Sequence, residues 1–146
     1  MDHSIERKYF VQRTVDFIKA LEDQALELHL VEDERILFRV AGRPFEALAM
    51  ISEDYDLITI TTRTTDLPPA AFEDAVKILQ STLQTCWDHC VAVSPLEGYY
   101  DLSMAVFIGG FTFEAFEGVV FNLVACSEAI EDLYAQQVKR SKTEEK

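Results

Sequence analysis

The chain is expected to fold as a single α+β domain, an antiparallel sheet flanked by helices in the order α-β-β-β-α-β-β-α. Three observations lead there. Apolar residues recur at helical spacing in three separate stretches. Between those stretches the period drops to two, with β-branched and aromatic residues enriched. The links between the extended stretches are too short for parallel crossovers, which need a dozen or more residues. A chain of 146 residues suits one domain. At that length about 68–70% of the unfolded surface can be buried, enough for a core without staples. The domain is expected over residues 1–140, with 141–146 a charged, frayed tail.

Residues 4 to about 24 read as the first helix, with Ser4 as a suitable cap. Phe10, Val11, Thr14, Val15, Phe17, Ile18 and Leu21 share one arc, and Gln12, Asp16, Lys19 and Asp23 lie opposite. Leu26, Leu28 and Leu30 then alternate with polar residues, as either a short strand or a frayed helix end. The acidic turn EDER precedes ILFRV, which has strand character. AGRP is a turn signal, FEALAMI leads into the turn SEDYD, and LITITTRT is β-branched. The expectation is two or three strands in a meander.

TTDLPPAAFEDAV marks a helix start, with Asp66 or a nearby Thr as cap and prolines in the first turn. Phe72, Val76, Leu79, Leu83, Cys86 and Cys90 follow at spacings that place them on one stripe. VAVSPLEGYYDLSMAVFIGG reads as a hairpin turning at SPLEG and ending at Gly109-Gly110. Thr112 caps the last helix, which is expected to run to about Gln137. Its stripe is Phe113, Phe116, Val120, Leu123, Ser127, Ile130 and Tyr134, with Val119, Cys126 and Leu133 beside it.

Thirteen basic residues face 26 acidic ones, a net charge of −13. That surface repels phosphate backbones and anionic headgroups, so no nucleic-acid or membrane partner is expected. A basic or apolar polypeptide suits it better. MDHSIERKYF is polar, so no secretory signal is expected, and no apolar run reaches the roughly 18 residues of a membrane span. An odd number of cysteines argues against a disulfide framework, and a cytoplasmic protein with reduced thiols follows.

CWDHC, residues 86–90, is the one stretch with metal-like spacing. Cys86, His89 and Cys90 are three donors on one helix, and a fourth ligand would have to come from His29, His3 or Cys126. The competing reading makes both cysteines small hydrophobes on the core stripe, with His89 at its edge. That reading is preferred, and neither metal nor cofactor is expected. Three residues between the cysteines do not make a redox dithiol, which has two. SEDYD lacks the glycine and distal glutamate of a calcium loop. GRP and IGGF do not form a phosphate loop, and no nucleophile elbow is present.

The order of elements resembles that of the small acidic chaperones of type III secretion and of the related YbjN-domain proteins. MAVFIGGFTFEAFEGVVFNLVACSEAIEDLY resembles their closing strand, tight turn and long helix. ILFRVAGRPFEALAMI resembles their early strands. The likeness spans roughly residues 10–137. Where secretion chaperones carry a leucine-rich segment with glycine, this chain reads ALELHLVEDE, which favours the broader YbjN-like grouping. The resemblance implies a homodimer that binds a protein and catalyses nothing. A partner segment would lie in an apolar groove, for which Ile36, Phe38, Val40, Phe45 and Leu48 are candidates, burial in the core being the competing reading. The dimer contact would use the central helix, with Phe72, Val76, Leu79, Leu83 and Trp87 as candidates, again against burial within the monomer. The alternatives are a YbjN-type regulatory or adaptor domain in signalling, and a small metal-binding protein or enzyme using Cys86, His89 and Cys90.

Overall fold

Val11, Thr14, Val15, Ile18 and Leu21 are buried along one side of the first helix, as their spacing requires, and Gln12, Asp16 and Lys19 face outward. The computed structural model describes residues 4–21, 25–31, 35–51, 56–67 and 71–144, with side chains over 6–21, 35–51, 56–67 and 71–139. The first helix, α1 (Ser4–Ala20), closes earlier than expected. The amide of Leu21 donates to the Ile18 carbonyl at 3.2 Å, a tighter turn than the helix it ends. The Ser4 side chain and Asp23 lie outside the described side chains, as do the turns EDER and SEDYD except for their last residues.

Six described strands form one antiparallel sheet: β1 (Ala25–Val31), β2 (Arg35–Val40), β3 (Arg43–Ile51), β4 (Asp56–Arg63), β5 (Ala92–Leu96) and β6 (Tyr99–Phe107). Their order is β1-β2-β3-β4-β6-β5. The sheet therefore has one strand more than the expected order allowed. The alternating ALELHLV stretch becomes an edge strand against β2, with its register shifted between Leu26 and His29. The β2–β3 turn is two residues, Ala41 at φ 53° and Gly42 at φ 76°. Both angles are positive, as the hairpin turn that matches strand twist requires. The β5–β6 hairpin closes more tightly than SPLEG suggested. Leu96 pairs with Tyr99, leaving Glu97 and Gly98 as the turn, with Gly98 at φ 87°.

Strict alternation puts Ile36, Phe38, Val40, Phe45, Ala47, Ile51, Ile58, Ile60 and Leu102 on one buried face. α1 packs over β2 and β3 there, and the last helix, α3 (Phe113–Glu144), over β4 and β6. A run of rings ties these layers together. Phe17 of α1 lies 6.0 Å from Phe116 of α3, Phe116 lies 6.2 Å from Phe38, and Phe38 stacks on Phe45 at 5.3 Å. Such ring pairs add about 0.5–1.5 kcal/mol each beyond the area they bury.

α2 (Phe72–Asp88) starts later than TTDLPP suggested, and its N-cap, Ala71, makes no side-chain cap. The preceding segment is tied to the β5–β6 hairpin instead. Thr64 donates its amide to the Tyr100 carbonyl at 3.0 Å, and Leu67 donates to Gly98 at 2.6 Å. Asp66 therefore belongs to an extended strap, and Pro68 and Pro69 lie outside the described residues. Thr112 does cap α3, its hydroxyl accepting the Ala115 amide at 3.2 Å. α3 has 32 residues and continues through the expected tail to Glu144, a length of about 48 Å. Among the described residues no helix is long and apolar enough to cross a membrane.

Candidate protein-docking surface

α2 packs against α3 through Ile78, Thr82 and Cys86, which recur every four residues. The stripe expected to be a single core face is divided by this contact. At 100° per residue, Phe72, Val76, Leu79, Leu83 and Trp87 centre about 100° round the helix from Thr82. That second face is largely exposed. Phe72 is 83% exposed, Trp87 80% and Leu83 47%, Val76 is exposed and Leu79 half-buried. A helix with two adjoining apolar faces, one of them open, leaves large side chains in water, the usual mark of an interaction site. These five residues are the dimer-contact candidates of the sequence.

The groove candidates divide differently. Ile36, Phe38, Val40 and Phe45 are at most 2% exposed, under α1 and α3. Strand alternation turns them all to the same side, where two helices cover them. Leu48 has the opposite parity and lies half-buried on the other face of the sheet. That face carries Leu37, Leu48, Met50, Leu57 and Phe107, the last 77% exposed. Register brings Met50, Leu57 and Phe107 into one row across β3, β4 and β6, with Leu48, Thr59 and Ala105 in the next. Of this apolar set the sequence reading named Leu48 alone, although the same alternation that found the core contains Leu37, Met50, Leu57 and Phe107.

The CWDHC stretch resolves into a helix stop. Val91 donates its amide to the Cys86 carbonyl at 2.9 Å and Cys90 donates to Trp87 at 3.1 Å. This crossed pair of bonds is the Schellman arrangement, with Cys90 in the left-handed position that glycine usually fills, at φ 58°. Cys90 is therefore exposed, which corrects its expected place on the core stripe. The stripe spacing holds only while the helix continues, and the helix ends at Asp88. Cys86 is buried as expected, and Cys126 of α3 donates to its sulfur at 3.9 Å. That bond, together with burial, holds the Cys126 thiol well above its usual range. His89 is half-buried, its Nδ1 lies 2.9 Å from the Thr85 carbonyl, and its own carbonyl accepts from Asn122 at 2.8 Å. Among the described residues no three His, Cys, Asp or Glu groups are placed to share a metal. The side chains of His3 and His29 lie outside the described residues.

No family model matches the chain, and no curated protein matches it significantly. Solved structures do. An uncharacterized protein from Methanothermobacter thermautotrophicus superposes with a TM-score of 0.70 at 12% identity, covering 87% of this chain and 98% of that one. A chain of the HopA1–SchA chaperone–effector complex superposes with a TM-score of 0.58 at 11% identity, covering 84% and 94%. At these identities the likeness is one of fold alone, that of a single α+β domain with an antiparallel sheet.

Proposed function

We propose that this chain is a non-catalytic, cytoplasmic protein-binding module of the secretion-chaperone type, acting as a homodimer. The carrying observation is the open apolar stripe Phe72, Val76, Leu83 and Trp87 on α2. In this reading a second copy covers the stripe. Desolvating side chains of this size contributes about 1.5–3 kcal/mol apiece. The fold likeness to a chain of a chaperone–effector complex supports the class.

The partner polypeptide lies across the open sheet face, along Leu37, Leu48, Met50, Leu57 and Phe107. A net charge of −13 favours a basic partner over an acidic one in long-range encounter. The test is a pull-down comparing the wild-type chain with Met50→Glu and Phe107→Glu variants whose mass and unfolding midpoint are unchanged. A partner identified by mass spectrometry, held by the wild type and lost by both variants, supports the reading. A partner retained by both variants removes the sheet face from it.

A YbjN-type adaptor would use the same surfaces. The absence of glycine in ALELHLVEDE favours it. The partner's identity decides, since a secreted effector supports the chaperone and a signalling protein the adaptor.

A further inference from the structure

Cations are scarce on this chain, yet three of its seven arginines line one cavity. It holds about 280 Å³ at one end of the sheet, where the Ala41-Gly42 turn meets the end of β4 and the strap after it. Arg39, Arg43 and Arg63 form its walls, with Pro44, Thr64 and Asp66 beside them. Register explains the convergence. Arg39 lies opposite Pro44, and Phe45 opposite Thr62, so Arg39, Pro44 and Arg63 fall in one row across β2, β3 and β4. Two strand spacings separate the arginines, about 10 Å between backbones.

Each guanidinium is fixed by a different anchor. Arg39 donates to the Gly42 carbonyl at 2.8 Å, Arg63 lies over the Tyr99 ring at 4.9 Å, and Arg43 is bonded to Glu131. Among the described residues, Arg39 and Arg63 form no ion pair, although Asp101 stands opposite Arg63 in the register. A guanidinium carries five N–H donors, so both retain donors beyond these contacts. Like charges held close in a sheet oppose folding. Anchored guanidiniums also lose less entropy on gripping a ligand.

We propose that Arg39 and Arg63, with Arg43 behind them, form a binding pocket for a small oxyanion, the carboxylate or phosphate group of a small molecule. Such groups accept paired N–H donors in the geometry guanidinium offers. The chain's overall negative charge does not forbid this, because exposed charges beyond about 8 Å are screened at physiological salt. The site is separate from the α2 stripe; it shares the open sheet face with Leu37 and Leu57, and its anion binding is read without any protein partner.

The test is an amide-resolved NMR titration of the full chain with pyrophosphate and, separately, with citrate. Arg35→Gln is the control, since Arg35 lies on the same face paired with Glu46 at 2.9 Å. Saturable shifts at Arg39, Gly42, Arg63 and Thr64, weakened roughly tenfold or more in Arg39→Gln and in Arg63→Gln but not in Arg35→Gln, support the site. Response to pyrophosphate alone assigns a phosphate ligand, and to citrate alone a carboxylate. No saturable shift with either anion, or equal weakening in Arg35→Gln, overturns it. Both target arginines are exposed, so their replacement leaves the fold in place to be measured.

Discussion

Arg43 of β3 grips both carboxylate oxygens of Glu131 on α3, at 2.7 and 2.5 Å, across 88 positions of sequence. Arg43 is 8% exposed, and the Thr65 amide adds a third bond to the carboxylate at 2.8 Å. One carboxylate thus joins the sheet, the long helix and the strap leading to α2. Removing one partner of so sheltered a pair leaves the other charge uncompensated, and Glu131→Ala is expected to cost about 3 kcal/mol. The hydrogen bonds from Arg43 hold the Glu131 carboxyl below its usual range, against burial, which pushes it up. A depressed carboxyl stabilises fully above the ordinary value, about 4.3, and the contribution is lost as pH falls through the lower folded value. The same contact raises Arg43, whose contribution is therefore constant over the acid range. Urea unfolding should show a wide gap between wild type and Glu131→Ala at neutral pH, and a narrowing one as the carboxylates are protonated.

Cys90→Gly should stabilise the chain by about 1 kcal/mol, because it removes a side chain from a left-handed backbone position at a helix stop. The same variant should lose the one fast-reacting thiol. Cys90 is exposed and Cys86 and Cys126 are buried, so a thiol reagent should label one site in the native wild type and all three after unfolding. Two fast thiols in the native state would contradict the placement of Cys86 or Cys126.

Thr82 Oγ1 and Ser127 Oγ are buried without a hydrogen-bond partner among the described residues. An unsatisfied hydroxyl costs about 1–3 kcal/mol, so Thr82→Val, which keeps the shape, should raise stability by about 1 kcal/mol. Thermal unfolding measures it, and a clear loss would show that the hydroxyl bonds in solution.

Elements whose sides differ sharply in polarity were legible from sequence. The α1 arc, the Thr112 cap and the β5–β6 hairpin all rest on local spacing or capping chemistry, which neighbours along the chain decide. The edge strand β1 was ambiguous because LELHL alternates too briefly to separate it from a frayed helix. Periodicity also could not say which apolar face of α2 meets α3, since the faces adjoin and both carry large side chains. The same limit applies to Phe38 and Leu37, which sit on opposite sides of one strand, where tertiary packing alone decides which is covered. The Arg43–Glu131 pair and the arginine pocket depend on register and on contacts between distant segments, for which no local pattern exists.

The most direct test concerns the open face of α2. Sedimentation equilibrium of the wild type and of Leu83→Glu, at micromolar concentrations, reads the oligomeric state without reference to any partner. The wild type is expected near twice its 16.6 kDa chain mass, and Leu83→Glu near one chain mass with an unchanged circular dichroism spectrum. A wild type that stays at a single chain mass throughout would contradict the homodimer and leave the α2 stripe without its proposed cover.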